Sequence, residues 1–76
     1  MKTFNDIVTE QLGIPTEKIA DTLTPQDVPE WDSMNYLLFI AELEKNFSVS
    51  FTMDEILGAV SLGAVRELLI QKGSAV

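Results

Sequence analysis

Residues 31–47 read Trp-Asp-Ser-Met-Asn-Tyr-Leu-Leu-Phe-Ile-Ala-Glu-Leu-Glu-Lys-Asn-Phe, and this stretch decides the fold. Asp32 is a good N-cap, and the apolar run behind it keeps a helical period to about Phe47. At 100° per residue, Tyr36, Phe39, Ile40, Leu43 and Phe47 fall on one face and form a core stripe. Met34, Leu37, Leu38 and Ala41 fall on the opposite side, which Glu44 and Lys45 continue. A helix packed only on the core carries polar residues there. Leaving three large apolar side chains in water forgoes about 1.5–3 kcal/mol each if burial were available. Two explanations compete. Either the segment 16–31 folds over this face, with Val28, Leu23 or Trp31 covering it, or the face is a docking stripe that starts directly after Ser33.

Working outward, helical signals continue. Thr3 and Asp6 have capping-box spacing, and Phe4, Ile7, Val8 and Leu12 repeat on one face, which predicts a helix over about 3–12. Gly13 and Pro15 stop it. Residues 16–31 contain Pro25 and Pro29 and no sustained period, so they read as a long loop with one turn near Glu17–Ala20. Loops longer than about 12–15 residues are uncommon in small domains and often functional. Thr52 to Glu55 is a second capping box, opening a short helix that Gly58 ends. Ser61 caps a last helix with Leu62, Val65, Leu68 and Leu69 on one stripe, closed by Lys72 and Gly73. Phe47 to Phe51 alternates, but it is short and has no partner strand, so it reads as a connection. The expectation is an all-α chain: a small four-helix bundle of three main helices and one short one, forming a single domain over 1–76.

Composition narrows the function. Seventy-six residues support one modest core, and 46% hydrophobic content suffices for it. Twelve acidic against five scattered basic residues give a net charge of −7, which excludes nucleic acid and disfavours an anionic membrane surface. Partners with basic patches fit better. No run approaches the roughly 18 apolar residues of a membrane span, and residues 1–6 lack a signal-peptide core, so a cytoplasmic protein is expected. Cysteine and histidine are both absent, which removes disulfides and the usual metal ligands, and no metal site is expected.

Ser33 stands at the start of the long helix beside an acid. Such a serine can be a helix cap, a nucleophile, or an attachment point for a group supplied from outside. A self-sufficient nucleophile needs a general base and an oxyanion hole. The chain has no histidine and no Gly-x-Ser-x-Gly elbow, and Lys2, Lys18, Lys45 and Lys72 are not placed near Ser33 by sequence. Glu42 and Glu44 project from different sides of their helix and read as solvated, so acid–base hydrolysis has no support either. No catalytic residue is assigned, and the chain is not expected to be an enzyme.

The arrangement around Ser33 resembles the acyl carrier protein family over nearly the whole chain. Gln11-Leu12-Gly13-Ile14 followed by Ile19 looks like the end of that family's first helix and its turn. Asp32-Ser33-Met34 resembles its Asp-Ser-Leu attachment motif, with Met for Leu. Leu43-Glu44 and Phe47, the latter fourteen residues after the serine, match the end of its second helix. Phe51, Asp54-Glu55 and Ser61-Leu62-Gly63 match its later landmarks.

The resemblance implies that Ser33 holds a 4′-phosphopantetheine arm, transferred from coenzyme A by a separate Mg²⁺-dependent phosphopantetheinyl transferase. The arm's thiol would carry an acyl or aminoacyl group as a thioester. A phosphodiester there would sit at a helix N-terminus, where free N–H groups and the dipole favour an anion. The resemblance further implies that Asp32, Met34, Leu37, Leu38, Ala41 and Glu44 form the surface read by the transferase and client enzymes, and this tilts the outward stripe toward docking. A monomer is expected.

The chain also departs from the family pattern. Members serving fatty acid synthesis usually show Leu-Gly-Ala before Asp-Ser, where this chain has Val28-Pro29-Glu30-Trp31. They tend to carry an acid at the position of Leu38, and Lys45 dilutes the negative face further. The form looks more like stand-alone carriers of specialised pathways, served by an adenylate-forming ligase or by acyltransferase and synthase clients. A reading of another class is an unmodified acidic helical adaptor that binds a protein through the Met34/Leu37/Leu38/Ala41 stripe.

Overall fold

Four helices follow one another along the chain: α1 (Phe4–Leu12), α2 (Ser33–Phe47), α3 (Met53–Gly58) and α4 (Leu62–Gln71), with a 3-10 turn at Thr16–Lys18. The computed structural model describes residues 2–74, and no strand occurs among them. The all-α expectation therefore holds, and Phe47 to Phe51 is a connection.

Local chemistry sets most of the boundaries. Thr3 and Asp6 form a reciprocal capping box at α1, each bond 3.1 Å long. Gly13 closes that helix in the left-handed region at φ 69°, where its N–H donates to Thr9 O. Thr52 and Glu55 form a second box at α3. Gly58 is the last residue of that helix, and the terminating residue is Ala59 in extended conformation. α4 ends at Lys72, with Gly73 beyond it at φ 87°.

The core joins one face of every helix. α1 contributes Phe4, Ile7, Val8 and Leu12, and α2 contributes Phe39, Ile40 and Leu43. The Phe4 and Phe39 rings meet edge-on at 6.0 Å. Leu62, Val65 and Leu69 close the bundle from α4, and Ile56 does so from α3. Tyr36, Phe47 and Leu68 pack half-buried around this centre.

Segment 16–31 does not cover the outward face of α2. Val28 and Trp31 are both 5% exposed and belong to the core, and Leu23 packs against it. The segment is fastened to the start of α4 instead. Asp21 O and Leu23 O accept the N–H groups of Gly63 and Leu62, each at 3.0 Å, and Ser61 Oγ accepts that of Ala64. Three donors that a helix start leaves without intrahelical partners are satisfied in this way. Asp21 also pairs with Arg66 through its carboxylate. Asp27 holds the middle of the segment by accepting from the N–H and hydroxyl of Thr24, at 3.1 and 3.0 Å.

Candidate functional site

Asp32, the residue before α2, accepts the Asn35 N–H on Oδ1 at 2.8 Å and is the cap of that helix. The Asn35 amide in turn donates to Glu30 O at 2.8 Å, which fixes the junction of loop and helix from both sides. Ser33 is the first residue of α2 and is exposed. Because Asp32 supplies the cap, the Ser33 hydroxyl enters no hydrogen bond among the described residues, and the N–H groups of Ser33 and Met34 are likewise unengaged. Ser61 at α4 contrasts with it, since its hydroxyl is occupied by Ala64 N–H at 3.1 Å. Of these two helix-start serines, only Ser33 presents a free hydroxyl to solvent.

Beside Ser33 lies an open cleft of about 230 Å³. Its inner wall is aromatic. Trp31 and Tyr36 lie 5.7 Å apart between ring centroids, and the Tyr36 hydroxyl donates to Ile56 O at 2.7 Å. Ala59 O is a second, longer acceptor at 3.3 Å. Burial pushes the Tyr36 hydroxyl above the usual tyrosine pKa, because the phenolate would lose hydration in the half-buried site. The cleft has no Lys, Arg or His in its walls. Lys2 pairs with Glu10 at 2.6 Å and Lys72 with Glu55 at 2.9 Å. The one charged side chain lining the cleft is Asp32, whose Oδ1 is taken up by the helix cap.

The outward residues of α2 separate into two sets. Met34, Leu37 and Leu38 are 73%, 53% and 52% exposed, and Ala41 is exposed with them. These four share a face that starts one residue after Ser33 and is left open by the described residues. Glu44 does not belong to that free surface. It is half-buried, and its carboxylate accepts the Phe51 N–H at 2.8 Å, tying the connection after α2 back to the helix. Glu42 is half-buried as well and accepts from the Asn46 amide at 3.1 Å, so neither acid is simply solvated.

Sequence reasoning missed the opposite bank of the cleft. Leu57 and Val60, which line it, are 71% and 65% exposed, and Met53, outside the cleft, is 62% exposed. Met53 and Leu57 stand four apart in α3, off the face that buries Ile56, and that spacing was the available signal. Tyr36 was legible as a core-facing residue, but its role as a tie between α2 and α3 was not.

An exposed serine that does not serve as the cap thus stands at the head of a helix, on the edge of an aromatic cleft in a small acidic bundle. The family model for the phosphopantetheine attachment site matches residues 2–69. The chain belongs to that family of carrier proteins, whose prosthetic group is a covalent 4′-phosphopantetheine. Among curated proteins none matches the chain.

Proposed function

We propose that Ser33 is the attachment residue and that the chain works as one carrier domain. The observation that supports this best is the division of labour at the head of α2. Asp32 caps the helix, so the Ser33 hydroxyl is left exposed and without a partner. The unengaged N–H groups of Ser33 and Met34 suit the phosphodiester that attachment creates. In that step the Ser33 hydroxyl gives up its proton and forms a bond to phosphorus, and the adenosine bisphosphate half of coenzyme A leaves. The transferase supplies base and Mg²⁺. Once bound, the arm supplies a thiol for thioester carriage, and the chemistry on the cargo belongs to partner enzymes.

Asp32, Met34, Leu37, Leu38 and Ala41 form the surface that those enzymes read. The side chains exposed there are apolar where a fatty-acid-synthesis pattern would have an acid at Leu38. Trp31 is built into the cleft wall where that pattern has a small residue. Both features favour a carrier of a specialised cytoplasmic pathway, loaded with an acyl or aminoacyl group by an adenylate-forming ligase or an acyltransferase.

The decisive experiment is incubation with coenzyme A, Mg²⁺ and a broad-specificity transferase, followed by intact mass. A gain of one phosphopantetheine unit that Ser33→Ala abolishes is expected. No gain under conditions that modify a control carrier would leave the α2 stripe as the surface of an unmodified adaptor.

A further inference from the structure

Sulfur occurs in this chain only as methionine thioether, since there are three methionines and no cysteine. Methionine commonly fills irregular gaps in a core. The two in described helices, Met34 and Met53, fill none, and both are more than three-fifths exposed. Among the described residues no large hydrophobic side chain is more open to water than Met34. It follows Ser33 directly and opens the apolar stripe that Leu37 and Leu38 continue. We propose that Met34 is a modification site: a hydroperoxide oxidises its thioether to the sulfoxide, and the altered face slows the transfer of the arm to Ser33. This rests on Ser33 as the attachment residue and on the stripe as the surface that the transferase reads.

The step needs access and an oxidant, and nothing else from the chain. The sulfur lone pair attacks one peroxide oxygen, an S–O bond forms, the O–O bond breaks, and the sulfur loses two electrons. Hydrogen peroxide is reduced to water, and an alkyl hydroperoxide to its alcohol. A sulfoxide reductase reverses the change: the oxygen leaves as water while a dithiol becomes a disulfide. Exposure of Met34 opens both directions in the folded chain. The product is polar and chiral where the face was apolar. Met34 belongs neither to the core nor to the side chains packed against it, and the cap of its helix runs from Asp32 to the Asn35 N–H, which oxidation does not touch. The fold therefore keeps its stability, and the whole effect falls on the surface one residue from the hydroxyl to be modified. Met53 is an internal comparison. It is open to the same oxidant, but it stands at the start of α3, outside the stripe and outside the cleft lining.

The test uses the full chain before loading. Hydrogen peroxide is applied and then removed with catalase, and oxygen uptake at Met34 is located by peptide mass mapping. The rate of arm transfer from coenzyme A is compared with that of the untreated chain. A fall of roughly five- to thirtyfold is expected, the range for losing one anchoring contact, with circular dichroism and melting unchanged. Sulfoxide reductases for both epimers, with dithiothreitol, should restore the rate. Met34→Leu should show the same rate before and after oxidation, whereas Met53→Leu should lose rate as the wild type does. An unchanged rate in a chain fully oxidised at Met34 overturns the proposal. An equal loss in Met34→Leu also overturns it, because the effect then lies at another methionine, and so does a loss of rate that accompanies unfolding. A chain that takes up no arm before oxidation overturns the attachment reading instead, and that failure shows in the mass alone.

Discussion

Tyr36 is the chain's one tyrosine, so its ionisation can be followed alone by phenolate absorbance. Burial raises its pKa, which means that the folded state holds the phenolic proton more tightly than the unfolded chain does. Stability from this source is therefore complete below the ordinary tyrosine value and is lost as pH rises through the folded one. The absorbance midpoint should lie above that of a blocked tyrosine and return to it in denaturant. Tyr36→Phe should abolish the alkaline loss and lower neutral-pH stability by about 1 kcal/mol, since Ile56 O loses its donor. Sequence periodicity places Tyr36 on the inner face of its helix, and this is correct. It says nothing about the hydroxyl, whose acceptors lie on a segment twenty residues further along. Glu44 has the same character: helical geometry puts it near the outward stripe, and only the return of the chain at Phe51 shows that it is engaged.

At the scale of elements, the caps were legible and the docking of one element on another was not. Thr3 with Asp6, Thr52 with Glu55, Asp32, Ser61 and Gly13 act within one turn of themselves, so residue type and spacing suffice. Segment 16–31 has no period of its own, and its course follows from where α4 begins. A Cβ on Gly63 would stand 2.8 Å from Asp21 Cβ. Gly63→Ala should therefore lose stability in urea titrations: the overpacking cost of about 1–3 kcal/mol outweighs a helix-propensity gain of at most about 1 kcal/mol. A stabilised Gly63→Ala would mean that the segment is not seated on α4. The outward face of α2 gives the complementary case. Leu38→Asp acts at a position 52% exposed and outside the buried core, so helicity should persist and stability should stay within about 0.5 kcal/mol of wild type. Modification by the transferase should slow roughly five- to thirtyfold if Leu38 anchors the docked enzyme. Loss of helicity instead would show that the stripe belongs to the core.

For the molecule as a whole, a clasp of charged chemistry joins elements that are distant in sequence. Glu55 closes its capping box and meets Lys72, which also lies 5.4 Å over the Phe51 ring, so α3, α4 and the connection after α2 join at one point. The Thr52 backbone N–H first, and Lys72 next, hold the Glu55 carboxyl below the ordinary glutamate range. A depressed carboxyl stabilises the fold above its unfolded pKa, and the effect fades as pH falls through the folded value. Glu55→Gln keeps a capping-box residue but loses the charge. Its deficit against wild type in chemical denaturation should be full near neutral pH and disappear in acid, below the glutamate range. A deficit of equal size in strong acid would mean that packing, not charge, sets it. The acidic balance was readable from composition, because it depends on a sum over residues. The banks of the cleft were not, because they come from three separated segments. The way Asp32 and Ser33 share the head of α2 bears on how long such a chain can serve. If Ser33 bears the arm, fitting it, stripping it and fitting it again never touches a bond that holds the helix in place. The folded protein can then outlive many generations of its own prosthetic group.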